Sequence, residues 1–439
     1  MCIEEDLTPL VERAVESNAD ELWQLSRFLW ENPELALQEF KAHDKICDFL
    51  ENRGFTVRRR HLLDTAFRAE FQAPGGSNGP TVAIIAEYDA LPEVGHGCGH
   101  NLIAEAAVGA AIAVVEATKK TSNACGKLVV IGTPAEECYG GKEMLVQKGA
   151  FRDIDVAMMV HPMHQDTLRV ALNASQQITV SYQGRAAHAA ACPWEGVNAL
   201  DAAVASYVNV ALLRQQTKPS CRIHGIITES GSYANIIPET SKVVYHIRGQ
   251  TADELYQLRA RAEDCFEAAA QATNCTVTMA KDVVYKDVVH NATLSKVYRK
   301  HGQTLGVKFT DAELGCMEFC GASTDAGNVS YEVPMIHPMF AIRADGMNHT
   351  AAFAEGANSP QAQLPTLRAA KIMALTALDL LRDPALVSEI KTEFAQWKNG
   401  RTQKQVTLVK SVTLSELPVS ANVCRTAHFV NGAPLLQGK

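Results

Sequence analysis

The sequence has no CxxC pair, no run of basic residues and no uninterrupted apolar stretch long enough to span a bilayer. Each absence removes a class of function. Twelve cysteines are scattered along the chain. They read as mostly reduced thiols in apolar packing, and a redox role for Cys98 lacks a resolving cysteine nearby. Without a basic patch, neither nucleic acid nor an anionic membrane surface is an expected partner. The opening "MCIEEDLTPL" lacks the basic start and apolar core of a signal peptide, so a cytoplasmic location is expected. The longest apolar stretch, Leu102 to Ala117, is broken by Glu105 and Glu116 and reads as a buried helix.

What is present is an ordinary globular composition: 439 residues, 47% hydrophobic, 21% charged, net charge -8. That length exceeds one core, so two domains are expected. Helical periodicity fills the first fifty residues and stops at Gly54. Apolar strands then alternate with helices: "TVAIIAEY", a helix from Asn101, "KLVVIGTP", "GKEMLVQKG", "DVAMMVHP". This order predicts an α/β domain with a central, mostly parallel sheet flanked by helices. Near residue 173 the pattern changes. "SQQITVSYQG" alternates as a half-exposed strand, and an amphipathic helix, two strands, a helix opened by Thr251 and a last strand follow. A smaller α+β unit therefore interrupts the first. The expected boundaries are 1–172 and 289–399 for the two parts of the first domain, 173–288 for the interrupting unit, and 400–439 for a tail. A second helix of the returning part is read in "LPTLRAAKIMALTALDLLRD".

In an open α/β sheet, function gathers beyond the carboxyl ends of the strands. Three strands here end alike. The first delivers Glu87 and Asp89, then Cys98 and His100 in "GHGCGHN"; the second Glu136 and Glu137; the third His161 and His164. Thiolate, imidazole and carboxylate suit zinc, with manganese or cobalt as alternatives. Glycines 95, 97 and 99 allow the tight backbone that points Cys98 and His100 at one spot. Two adjacent carboxylates repel unless a cation is near, so one of Glu136 and Glu137 reads as a ligand and the other as a general base. A solvated loop pair is the bland alternative. Of the third pair His161 is the better ligand and His164 the better surface residue. Spacing alone does not place His349.

The stretches "AEYDALPEVGHGCGHN", "TPAEE", "VHP" and "NHT" resemble the aminoacylase/carboxypeptidase family of co-catalytic metallopeptidases. The likeness runs from about residue 15 to 398. It implies a two-metal site of Cys98, His100, Glu137, His161 and His349, bridged by the thiolate, with Glu136 as general base and Asp89 orienting a ligand histidine. Many relatives carry a ligand histidine where Glu87 stands, which puts a role for Glu87 in doubt. The resemblance makes the insert a lid through which a homodimer forms. In it His188 reaches the neighbouring subunit's site, Asn235 binds substrate and Arg248 is a candidate for the substrate carboxylate. Asp325 and Asn328 fall in a matching loop without an assigned role. The implied reaction is metal-dependent hydrolysis of the amide bond of dipeptides or N-acyl amino acids, with basic C-terminal residues favoured. The alternatives are a specialised amidase of a secondary-metabolite conjugate and a non-catalytic metal-binding partner subunit.

Overall fold

Among the described residues twelve short strands pair into two main sheets and one two-stranded ladder. In chain order they are β1 (Thr56–Arg59), β2 (Phe67–Gln72), β3 (Thr81–Glu87), β4 (Lys127–Thr133), β5 (Val156–Met158), β6 (His161–Met163), β7 (Ala174–Gln183), β8 (Arg222–Glu229), β9 (Thr240–Gly249), β10 (Thr276–Lys281), β11 (Met335–Ile336) and β12 (Met339–Ala341). The structure, a computed structural model, describes residues 6–121, 123–310 and 321–415, with side chains as far as Arg401.

The first sheet has the order β1-β2-β4-β3-β5-β11. β3 runs parallel to both β4 and β5, and β11 parallel to β5. The hairpin β1–β2 adds an antiparallel edge through β2 and β4. β3 and β4 are buried on both faces, as their unbroken apolar runs require of parallel strands covered by helices. β6 and β12 form a separate parallel pair.

Helices α1 (Thr8–Ser17), α2 (Ala19–Glu31), α3 (Phe40–Glu51), α4 (His100–Thr118) and α5 (Gly141–Gln147) accompany this sheet. α4 is buried on all sides and packs on β3, α1, α2 and the later helix Pro360–Arg382. Its alanines allow that approach. At Gly109 a Cβ would come within 3.2 Å of Leu22 and 3.3 Å of Ala370. α4 is the one described helix apolar enough for a membrane, yet it forms the core of the fold.

The second sheet is fully antiparallel, in the order β10-β7-β9-β8. Ile178, Val180 and Tyr182 of β7 and Val243, Tyr245 and Ile247 of β9 are buried on one face. That face is covered by α6 (Ala199–Arg214) and α7 (Ala252–Thr273). Thr251 caps α7 by accepting from the Glu254 N–H, as its spacing predicts. Alternate residues, including Gln177, His246 and Arg248, point to the other face.

The chain then returns through α8 (Ala292–Thr304), α9 (Ala326–Ser330), β11, β12, α10 (Ala351–Ala357), α11 (Pro360–Arg382) and α12 (Pro384–Ser415).

Four expectations change. α6 is not amphipathic in the ordinary sense, because its outer face exposes Val204, Tyr207, Val208 and Leu212. α11 begins at Pro360 under a Ser359 cap, earlier than "LPTL" suggests, and absorbs Pro365 internally. Residues 400–415, read as tail, continue α12, while 416–439 lie outside the described residues. Of the eight described cysteines only Cys47, Cys98 and Cys221 are buried, and Cys138 is exposed, so apolar burial does not explain them all.

Candidate functional site

The carboxyl ends of β3, β4 and β5 converge, and each continues into a backbone that sequence alone makes unusual. After β3, the loop to α4 ends at Gly99, φ +82°, where a Cβ would stand 2.6 Å from Pro162 and 3.2 Å from Phe353. Only glycine fits there. It places Cys98 and His100 on either side of the helix start. After β4, Ala135 adopts φ +61°, a conformation that non-glycine residues rarely take. Its N–H is held by the buried carboxylate of Glu39 at 2.9 Å. The turn delivers Glu136 and Glu137 to the same spot. Beyond β5, His161 opens β6. His349 arrives from the far end of the chain with φ +70°, anchored by its N–H to the Gly97 carbonyl at 2.8 Å.

The ligand-type atoms meet. Cys98 Sγ lies 3.4 Å from His161 Nε2. His100 Nε2 lies 3.7 Å from Glu137 Oε1, and Glu137 Oε2 lies 3.5 Å from His349 Nε2. Three overlapping groups keep their donor atoms within 4.8 Å: Cys98, His100 and His161; Cys98, Glu137 and His349; His100, Glu136 and Glu137. Cys98 belongs to two of them. Asp89 underpins the cluster. Its Oδ1 stands 3.2 Å from His100 Nδ1, its backbone oxygen 2.8 Å from the same nitrogen, and its Oδ2 accepts the Glu137 N–H at 2.9 Å. With Nδ1 occupied, His100 turns Nε2 to the cluster.

Glu87, to which the sequence assigns no role, is fully buried between His100 and Lys142. Its Oε2 is 3.6 Å from His100 Nε2, and its Oε1 pairs with Lys142 Nζ. Lys142, on α5, also pairs with Asp325 at 2.7 Å. Burial opposes the Lys142 charge, but Asp325 and Glu87 outweigh it and hold the amine protonated. Asn328 braces the same region, donating to Glu143 at 2.6 Å and to the Val284 carbonyl at 2.8 Å.

The electrostatics calls for positive charge. Burial, reinforced by Glu137 and Glu87, pushes Glu136 well above the carboxylate range. Burial likewise raises Glu137. Burial and then Glu137 push the Cys98 thiol upward. His161 falls to about 4 through burial and the neighbouring His100. Burial works against a charged His100, yet Cys98, Glu87 and Asp89 raise it well above its usual value. His100 Nε2 and Glu137 Oε1 are buried without any hydrogen-bond partner. Buried thiol, imidazole and carboxylate groups meeting at one spot, with two of their atoms lacking hydrogen-bond partners, fit divalent cations, which reverse such shifts. No other observation explains their grouping.

The cluster forms one end of a cavity of about 850 Å³ whose opposite wall is the second sheet. Arg248 lines it, donating to the Gly321 carbonyl at 2.6 Å and to Ser323 Oγ at 3.3 Å. His188 and Asn235 do not. Both are exposed on an arm where His188 Nδ1 accepts from the N–H groups of Ala190 and Ala191, and the Asn235 carbonyl accepts from the Ala189 N–H. His164 is half-buried beside Phe353, away from the cavity. None of the acids Glu195, Asp201, Glu229 or Glu239 lines it.

Sequence reasoning missed several neighbours. His337 is fully buried on the cavity wall, neither ring nitrogen has a partner, and its ring stacks on His161 at 5.8 Å. A signal existed: "HPM" occurs at His161 and again at His337, each beyond a parallel strand end. Tyr285 donates to the Glu136 carbonyl at 2.5 Å, tying the second sheet to the turn after β4. Asn348 donates to the carbonyls of Cys98 and Pro162. Asp282 lines the cavity from the end of β10.

Comparison with known proteins places the chain in a family. Residues 83–364 match the pattern of Peptidase family M20/M25/M40. The chain is 46% identical to the Xaa-Arg dipeptidase of Mus musculus, with 87% of this chain and 90% of that protein covered. It is 43% identical to the Xaa-Arg dipeptidase of Homo sapiens over the same shares. Its fold is similar to the crystal structure of the Bacillus subtilis YXEP protein, described as a dinuclear metal-binding peptidase of the M20 family. That match has a TM-score of 0.64 and 18% identity, and covers 83% of this chain and 99% of that one.

Proposed function

The chain belongs to peptidase family M20/M25/M40, and from that premise we propose that it hydrolyses dipeptides with a basic C-terminal residue, using two divalent cations and Glu136. Its reaction class is that of a metal-dependent peptidase or amidohydrolase. The observation that carries the proposed site is the pair of buried, partnerless atoms His100 Nε2 and Glu137 Oε1, with Cys98 Sγ and His161 Nε2 beside them.

Cys98, His100, Glu137, His161 and His349 would hold the ions, and the Cys98 thiolate, whose sulfur could serve two cations, is the proposed shared ligand. Zinc is the proposed ion, supported by the mix of thiolate, imidazole and carboxylate. Bound there, divalent ions supply Lewis acidity to a water molecule and to the amide carbonyl. Glu136 accepts the proton of the water and hands it to the leaving nitrogen. Asp89 fixes the His100 tautomer. Arg248 receives the substrate carboxylate.

The basic C-terminal residue is supported by the names of the two mammalian relatives. A homodimer is supported by the exposed apolar face of α6 and by Ile226 on the edge strand β8. In it His188 and Asn235, exposed in their own chain, serve the partner subunit's site. A reducing compartment, the cytoplasm, is the proposed location, because a ligating thiolate must stay reduced.

The test is metal analysis of the purified chain with a panel of dipeptides and N-acyl amino acids, with and without chelator. The expected result is two ions per chain and chelator-sensitive cleavage of dipeptides ending in arginine or lysine. Stoichiometric metal without turnover of any panel member would leave the metal-binding partner subunit standing instead. A chain that binds no stoichiometric metal would overturn the proposal entirely.

A further inference from the structure

We infer that Asp282 reads the charge of the substrate's C-terminal side chain; the inference rests on the dipeptidase reading above. Among the described residues lining the cavity, the carboxylates are Glu136 and Glu137 at the ligand cluster and Asp282 on the opposite wall. The first two face the cations. Among the described lining residues Asp282 is then the carboxylate left to face a substrate.

Its placement follows from strand register. Asp282 comes directly after β10. Its N–H donates to the Gln177 carbonyl at 3.0 Å, so it extends the ladder by one residue. Its Oδ2 accepts from Gln177 Nε2 at 2.7 Å. Gln177 is paired with His246 on β9, and both line the cavity. Residues paired across strands share a face, so Asp282 points to the cavity with them. The preceding Lys281 turns to the helix side, where it pairs with Glu263 of α7 at 2.9 Å. The carboxylate is thus fixed in direction by a neutral amide, and no described lysine or arginine pairs with it.

Arg248 is on the same face, two strands over and two residues along, about 12 Å away between Cα atoms by sheet geometry. A guanidinium and a carboxylate at that spacing are complementary to one extended residue, with its carboxylate at Arg248 and a cationic tip at Asp282. The α-amino group of the substrate lies on the other side of the scissile amide from that carboxylate, which argues for the side chain as the partner of Asp282. A neutral or acidic C-terminal side chain would leave Asp282 without a charge partner.

The test compares kcat/KM of the metal-loaded full chain on Ala-Arg, Ala-citrulline and Ala-Glu, together with calorimetric binding of free arginine and citrulline. Citrulline keeps the length of arginine and removes the charge. Loss of one charge-assisted hydrogen bond predicts that Asp282→Asn lowers the arginine-to-citrulline ratio about ten- to hundredfold, mainly through KM. Asp282→Glu retains the ratio, and Asp282→Lys moves preference toward Ala-Glu. Calorimetry is expected to show weaker arginine binding by Asp282→Asn. A ratio unchanged within about twofold, with Ala-Arg still cleaved by the unaltered protein, overturns the inference and spares the dipeptidase reading. An equal loss on all three substrates, or a loss that vanishes when the substrate amine is acetylated, also overturns it. If the unaltered protein cleaves no dipeptide yet binds arginine through Asp282, the dipeptidase reading fails and the charge-reading role stands.

Discussion

His100 Nε2 and Glu137 Oε1 face each other across 3.7 Å, both buried and neither with a hydrogen-bond partner. Polar atoms in that condition destabilise a fold unless something they hold offsets the loss of hydration. His100→Ala or Glu137→Ala is therefore expected to abolish stoichiometric metal and at least about a thousandfold of activity. Added zinc is also expected to stop raising Tm, because a ligand stabilises only the state that binds it. Plasma emission analysis and thermal melts with and without zinc check both outcomes.

Glu136→Gln separates ligation from proton transfer. The amide keeps the shape of the side chain and cannot act as a base. Metal content and Tm are expected to stay near those of the unaltered protein, while kcat falls by about 10² or more. Retained turnover would move the base elsewhere.

Asp89→Asn tests orientation. The carboxylate faces His100 Nδ1 at 3.2 Å and also accepts the Glu137 N–H. Weakening that support is expected to reduce metal affinity by about 10- to 100-fold without unfolding the chain. Competition titration with a chromophoric chelator measures it.

Lys142→Met should be among the most damaging single changes distant from the surface. It leaves Glu87 and Asp325 buried without their cation. The expected loss is about 3–5 kcal/mol in urea unfolding, and the further changes Glu87→Gln and Asp325→Asn should restore much of it.

Glu105 gives the pH prediction. It is fully buried in α4, and burial raises its carboxyl from 4.5 to about 8. The folded protein holds this proton more tightly than the unfolded chain does. The group is therefore neutral to stability below about pH 4.5, and it opposes folding progressively as pH rises toward 8. Glu105→Gln removes the titration. Its Tm should exceed that of the unaltered protein at pH 8, and the gain should disappear near pH 4.5.

The strand ends were legible in the sequence because buried parallel strands are continuous apolar runs and their ends are marked by proline, glycine and charge. Cys98, His100, Glu136, Glu137 and His161 stood out for that reason. Lys142 did not, since a lysine in "GKEMLVQ" looks like any solvated helix residue until the loop carrying Asp325 closes over it. His337 was hidden in an apolar run, and its meaning depends on which strand lies next to β5. Asp282 required the register of β10 on β7, which no local pattern specifies. His188 and Asn235 mark the opposite limit: the family motif identified them, and within one chain they lie away from the cavity.

The pairing of β11 with β5 has a consequence for biosynthesis. β5 ends at Met158, and its outer neighbour begins at Met335. As the nascent polypeptide leaves the ribosome, β5 keeps an unpaired edge while the whole antiparallel sheet is translated. His349 emerges later still. Assembly of the cluster of ligand-type side chains is thus a late event in synthesis, and a polypeptide terminated before codon 349 lacks the last of them.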